Sequence, residues 1–328
     1  MRALRCNAYG SPETLVVEDL PDPVPGEGEV VVDVAAAAAN FPDVLLVADE
    51  YQIHIPVPFT PGSEFAGTVR VVGPGAEGVS VGDRVVGAAI AGAFAEQIAV
   101  PAASLHPVAA LVDLRSAAAF GVAHRTSYLA LRTVADVKPR DWVVVLGAAG
   151  GVGLAAVELA HILGARVLAA ASTAEKLAVC VEKGADAIVN YETENLKERI
   201  KEITRAGADV VIDPVGGPWA EQALRAMRWG GRFVSVGFAS GEIPRIPLNL
   251  VLLKGPVITG FTMSGLAQNR PDEVARDEAE LWDLLATGKV APHVGSAFTL
   301  EEGARALTEL ATRRATGKVL IEPAPPAR

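Results

Sequence analysis

Cysteine is nearly absent from this chain: Cys6 and Cys180 are the only two in 328 residues. That excludes a disulfide framework and a cysteine-built zinc lobe, and it points to reducing surroundings. The five histidines, His54, His106, His124, His161 and His293, show no paired ligand spacing. A catalytic zinc needs three protein ligands, so no metal is expected. Positive charge is also short, with 29 Lys and Arg against 39 Asp and Glu and a net charge of −10. No basic run exists to track a phosphate backbone, which argues against nucleic-acid binding. The alanine-rich apolar runs are interrupted too often by proline, glycine and charge to span a membrane. No secretory leader precedes the first strand pattern, so a cytoplasmic location is expected. No Ser-His-Asp arrangement, glycosidase-like carboxylate pair or activated cysteine is recognisable.

What is present is apolar material and alternation. Half of the residues are hydrophobic, and the length suffices for two ordinary domains. Residues 1–118 read as short strands separated by Gly and Pro, with a short helix entered through Asn40-Phe41-Pro42. From 119 to 264 strands alternate with helices, with strands at 142–146, 167–171, 187–189, 209–213, 232–236 and 257–261. This rhythm predicts an α/β fold with a doubly wound parallel sheet beside a β-rich domain. Residues 265–328 are expected to return to the first domain, ending in a frayed tail at Pro323-Ala324-Pro325-Pro326.

The most informative stretch is Val143-Val144-Val145-Leu146 running into Gly147-Ala148-Ala149-Gly150-Gly151-Val152-Gly153. A β-branched strand ends in small residues that open a helix. Such a helix N-terminus offers free N–H groups and a positive dipole end to a pyrophosphate. Gly150 removes a Cβ from the path of the phosphates, and Gly153 lets helix and strand approach. The next strand ends in Ala171-Ser172-Thr173, with Lys176 close behind. A carboxylate there would bind a ribose 2′-hydroxyl and repel a 2′-phosphate. Its replacement by Ser172 and Lys176 favours NADPH over NADH; Lys176 taken alone reads better as a solvated helix residue, and the missing acid shifts the balance.

The chain resembles the zinc-free quinone oxidoreductase group of the medium-chain dehydrogenase/reductase superfamily, nearly end to end. The landmarks are Asn40-Phe41-Pro42-Asp43, Pro58 to Gly67, Gly82-Asp83-Arg84-Val85, Ala95-Glu96-Gln97, Thr126-Ser127-Tyr128, Gly147 to Gly153, Gly184-Ala185-Asp186, Asp213 to Gly217, Gly230-Gly231-Arg232 and Gly317-Lys318-Val319-Leu320. The resemblance implies a GroES-like catalytic domain, a Rossmann domain, a cleft between them, and homodimers or tetramers paired through Val257 to Phe261. Zinc-dependent relatives carry Cys and His-Glu where this chain has Asn40-Phe41-Pro42-Asp43 and Ser63-Glu64, so the resemblance too implies a metal-free site. Glu64 is expected to pair with a buried cation.

The same resemblance implies roles for single residues. Asn40 lies by the nicotinamide and orients a substrate carbonyl or the ribose, or it simply caps the short helix. Tyr51 lines the quinone pocket, or is a loop tyrosine. Val47-Ala48-Asp49-Glu50 departs from the Arg-x-Gly that many relatives have before this Tyr. Thr126 offers a hydroxyl near the nicotinamide, or is a buried helix threonine. Tyr191 packs by the adenosine end, or is a half-buried strand-end residue. By position rather than resemblance, Gly237-Phe238 and Phe261 end two strands at the edge where ligands bind and are expected to flank the nicotinamide, or the two phenylalanines pack in the core. The expected reaction is hydride transfer from NADPH to a quinone, which needs positioning and oxyanion stabilisation and no metal. Reduction of an activated C=C bond is the alternative within the fold. A non-catalytic NADPH-binding sensor is the alternative outside enzymology.

Overall fold

The computed structural model describes residues 1–323. The chain forms two compact units, Met1–Val122 with the stretch from Ala291, and Ala123–Val290. The proline-rich tail from 324 on lies outside the described residues.

Along the chain the first unit contributes β1 (Arg2–Arg5), β2 (Val16–Asp19), β3 (Glu29–Ala39), α1 (Phe41–Ala48), β4 (Glu64–Val72), β5 (Arg84–Ala88), β6 (Gln97–Pro101), β7 (Leu105–Pro107) and α2 (Leu114–Ala118). Helix α3 (Gly121–Leu129) opens the passage to the second unit. β3 is longer than its β-branched part, Val30 to Val34, suggests. It continues through Ala36, Ala37, Ala38 and Ala39, all at most 2% exposed, because β4 pairs along one side and β15 (Lys318–Glu322) along the other. Alanine is a poor strand former by itself; ladder bonds on both sides override that preference.

The second unit follows the predicted alternation: β8 (Trp142–Leu146), α4 (Gly151–Ile162), β9 (Arg166–Ala171), α5 (Ala174–Glu182), β10 (Ala187–Asn190), α6 (Leu196–Thr204), β11 (Ala208–Asp213), α7 (Gly217–Arg225), β12 (Met227–Ser235), α8 (Leu248–Lys254), β13 (Val257–Gly260), α9 (Met263–Asn269) and α10 (Pro271–Ala286). Its six strands lie in the order β10-β9-β8-β11-β12-β13 and every neighbouring pair is parallel. The order reverses direction between β8 and β11, which is the switch point where such sheets bind ligands. Val144, Leu146, Leu168, Val189 and Val211 pack with α6 and α7 residues in one continuous core.

The second unit extends to Val290, where the alternation pattern alone put the return to the first domain at 265. Helices α9 and α10 pack on each other, and α10 packs on the π-helical turn Ala130–Val134. Buried Asp277 accepts a hydrogen bond from Thr133 Oγ1 at 2.5 Å, and Leu129, Leu266 and Val274 close a small core with Phe261. The polar helix was legible in the sequence; these long-range partners were not.

The first unit is completed by β14 (Val294–Thr299), α11 (Gly303–Ala311) and β15. Its main sheet runs β14-β15-β3-β4-β5-β7, with β6 also on β3. Phe65, Phe94, Leu300, Leu307 and Val319 are fully buried in its core.

Candidate cofactor cradle and polar site

In the second unit the glycine segment builds a tight turn between β8 and α4. Gly147 adopts φ +55, and a Cβ there would meet Val215 Cγ2 at 2.4 Å. Ala148 N donates to Ala170 O at 3.0 Å, and Gly150 N donates to Gly147 O at 3.0 Å, which curls Ala148, Ala149 and Gly150 over the strand end. A Cβ on Gly153 would lie 2.2 Å from Gly147 O, so Gly153 sets how closely α4 approaches β8. A Cβ on Gly150 would meet nothing nearer than 3.5 Å within the protein. The missing side chain at Gly150 therefore relieves no internal crowding; it leaves space at the helix end. Gly150 is the N-cap of α4 and no side chain caps this helix. The N–H groups of Gly151, Val152 and Gly153 belong to the uncapped first turn and suit an anionic phosphate. These features fit a dinucleotide pyrophosphate.

The neighbouring strand ends supply the rest. β9 ends at Ala171 and Tyr191 N donates back to Ala171 O at 3.2 Å, which brings Tyr191 beside Ser172. Tyr191 also meets Trp219 of α7, with ring centroids 4.6 Å apart. Thr173 caps α5 by accepting from Lys176 N at 3.3 Å. An acid does stand near this strand end, on the first turn of α5. The Glu175 carboxylate is held below the usual range by its own backbone N–H and the Thr173 hydroxyl, so it serves the helix cap. The sequence reading missed both Trp219 and this use of Glu175; D-x-V-G-G before a helix was the available signal for Trp219. Asp213 Oδ1 accepts from Val215 N at 2.9 Å and Gly216 N at 2.8 Å. That orders the loop after β11, and burial pushes the Asp213 carboxyl upward. Gly237 N donates to Asp213 O at 3.3 Å, and Phe238 is partly exposed. Phe261 packs on the Leu129, Leu266 and Val274 core. Thr126 Oγ1 lies 3.9 Å from Met263 Sδ. Cys180 is buried, which pushes its thiol up to about 12 and leaves it inert.

The first unit holds a buried polar cluster around Asn40. Asp43, Glu64, Lys318 and Asn40 are 0%, 1%, 4% and 8% exposed. Lys318 Nζ donates to Glu64 Oε1 at 2.5 Å and to Asn40 Oδ1 at 2.6 Å. Asn40 Nδ2 faces Glu64 Oε1 at 3.2 Å, Ala38 O at 3.3 Å and Ser63 Oγ at 3.4 Å. Val122 N donates to Glu64 Oε2 at 2.6 Å. Asn40 also begins α1 in a capping box, with its own N–H bonded to Asp43 Oδ2 at 2.7 Å. Burial pushes the Asp43 carboxyl up to about 7, against the opposing pull of the Asn40 N–H and Lys318. The cation expected beside Glu64 is thus Lys318, brought from the far end of the chain by the β15–β3 pairing. Tyr51 is half-buried on the core of this unit.

A parallel sheet of this order with a glycine cradle at its switch point, and a separate GroES-like sheet unit, define a pyridine-nucleotide oxidoreductase. Residues 26–110 match the family described as alcohol dehydrogenase GroES-like domain, and 151–285 match that described as zinc-binding dehydrogenase. The chain is 38% identical to the quinone oxidoreductase-like protein 2 of Bos taurus, over 98% of this chain and 92% of that protein. Its fold is similar to Escherichia coli quinone oxidoreductase complexed with NADPH, with TM-score 0.91, 30% identity, and 98% and 100% of the two chains covered. It is also similar to the quinone oxidoreductase of Thermus thermophilus, with TM-score 0.86, 34% identity and the same coverage. The chain belongs to the quinone oxidoreductase-like group of the medium-chain dehydrogenase/reductase superfamily, and it is an enzyme of the oxidoreductase type.

One of these family descriptions names zinc, and the donor set does not fit it. The Lys318 ammonium is bonded to both Asn40 Oδ1 and Glu64 Oε1, so a dication at the same oxygens would face a cation already in place. Among the described residues no group of three or more His, Cys, Asp or Glu is placed to hold a metal. No helix among them is long and apolar enough to cross a membrane.

Proposed function

We propose that this enzyme is an NADPH-dependent, zinc-independent quinone oxidoreductase. The observation that carries the cofactor assignment is an uncapped glycine cradle beside a β9 that ends in Ser172-Thr173, where an NAD-selective unit often presents an acid. NADPH-complexed quinone oxidoreductases of the same fold support it. In this reading Gly147, Ala148, Ala149, Gly150, Gly151, Val152 and Gly153 hold the pyrophosphate. Ser172 and Lys176 bind the 2′-phosphate, with Tyr191 closing the adenosine end. Gly237, Phe238 and Phe261 line the nicotinamide end.

When bound, NADPH would supply a hydride for the quinone, and a proton from a protonated group or from solvent would complete the hydroquinone. The protein's task is to orient the acceptor and stabilise the oxygen on which negative charge grows. Asn40 offers amide N–H groups for this, Thr126 a hydroxyl, and Tyr51 a ring face and a phenol for the quinone. We further propose a homodimer formed through the free edge of β13, whose Val257 and Ile258 are 56% and 42% exposed. Enone reduction by the same residues is the second reading, since an enone also gathers negative charge on its carbonyl oxygen.

The test is steady-state oxidation of NADPH and NADH with a panel of quinones and α,β-unsaturated carbonyls. NADPH-selective turnover of quinones is expected. Turnover confined to enones moves the enzyme to the second reading. Tight NADPH binding with no turnover of either class leaves a cofactor-binding sensor.

A further inference from the structure

We propose that Lys318 is a positioning residue for the reaction, acting through the Asn40 amide. The proposal rests on the assignment of Asn40 to the acceptor oxygen. An ammonium carries donors only, so its 2.6 Å bond to Asn40 Oδ1 fixes which end of the amide is which. The carbonyl end is committed to Lys318 and the NH2 end is turned to Glu64, Ser63 and Ala38. Those three acceptors stand at 3.2, 3.4 and 3.3 Å, longer than a typical N–H···O bond of about 2.9 Å. Two N–H donors are thus shared among three acceptors at long range, so a ligand oxygen can take one of them by displacing a weakly held partner. A cation on the carbonyl end also polarises the amide and makes that donor stronger.

The rest of the cluster keeps Lys318 in place. Glu64 receives the ammonium on Oε1 while its Oε2 is anchored by Val122 N at 2.6 Å. Asp43 grips the Asn40 backbone at 2.7 Å. With Lys318 and Glu64 both almost fully buried, water does not screen the pair. The charged groups that reach Asp43 are Lys318 from β15 and Glu64 from β4, with the Ser63 hydroxyl beside them.

The test is a double-mutant cycle in the full-length enzyme with NADPH and a quinone. Lys318→Met keeps the length and apolar stem of the side chain and removes its donors. Its kcat is expected to fall about tenfold, with the NADPH dissociation constant, read by fluorescence titration, within about twofold of the parent. In an Asn40→Ala background the same substitution is expected to cost less than about twofold, because its route of action is already gone. An unchanged kcat in Lys318→Met, or an equal loss in both backgrounds, overturns the proposal. Glu64→Gln repeats the cycle should Lys318→Met fail to fold, with the same non-additivity expected and additive losses overturning it. Failure of the underlying reading is distinguishable, because Asn40→Ala alone would then turn over quinones at the parental rate.

Discussion

At the scale of single residues, Gly150 and Gly153 stand three apart on one turn but meet different surroundings. A methyl group on Gly153 runs into Gly147 O at 2.2 Å. Gly153→Ala is expected to cost about 1–3 kcal/mol through overpacking against backbone, seen as a lowered thermal midpoint. A methyl on Gly150 has room within the protein, so Gly150→Ala is expected to melt within a few degrees of the parent. Its NADPH dissociation constant should nonetheless rise at least about tenfold, because the methyl fills the phosphate's space. Equal NADPH affinity in Gly150→Ala would remove the cradle assignment. Asp43 makes a pH-dependent prediction. Its folded value, about 7, lies above its ordinary 3.8. The folded state thus keeps a proton that the unfolded chain releases. Stability from this group is complete below about pH 4 and declines as pH rises to about 7, by a few kcal/mol at most. Asp43→Asn should flatten that decline in denaturant titrations across this window; an unchanged slope would show that the carboxyl is ionised throughout.

At the scale of elements, the proposed cofactor selectivity is tested at the end of β9 and the proposed assembly at the edge of β13. Ser172→Asp combined with Lys176→Ala puts a carboxylate where the 2′-phosphate is expected and removes a cation. The ratio of NADPH to NADH in kcat/KM should fall by at least about tenfold. An unchanged ratio would place the 2′-phosphate elsewhere. β13 pairs with β12 on one side only, and an exposed apolar edge invites pairing. Ile258→Lys charges that edge without burying a charge in the monomer. Sedimentation velocity should then show monomer where the parent is expected to sediment as a dimer. The elements themselves were unevenly legible. Strands of Val and Ile, and α4 through α7, could be read from periodicity. Helices α8 and α9 and the early start of β12 at Met227 could not. Exposed Leu252, Leu253 and Trp229, at 84%, 69% and 78%, give those segments an apolar pattern unrelated to the unit's own core.

At the scale of the whole molecule, each unit has its own core, and the proposed cofactor binds the second. Binding to the folded form alone stabilises by about 2.7 kcal/mol at a hundredfold excess over the dissociation constant. Calorimetry should therefore show a midpoint that climbs with NADPH concentration and climbs less with NADH. No shift with either would argue against the cradle as a dinucleotide site. The return of the chain through β14 and β15 matters as much as the cradle. It carries Lys318 across the fold to Asn40 and Glu64, a juxtaposition spanning 278 and 254 residues of sequence.

The sequence by itself determined the alternation of strand and helix, the glycine turn after β8 and the Ser172-Thr173 that stands at the end of β9 in place of an acid. These are local: periodicity, Cβ removal and charge act within a few residues of where they are written. The tertiary structure alone decided that Lys318 is the partner of Glu64, that Asn40 is held by an ammonium, and that α9 and α10 belong with the nucleotide-binding sheet. It also set the Asp43 carboxyl near neutrality. Each of these depends on which distant side chains share a volume closed to water, and desolvation and pairing energies have no value until that volume exists.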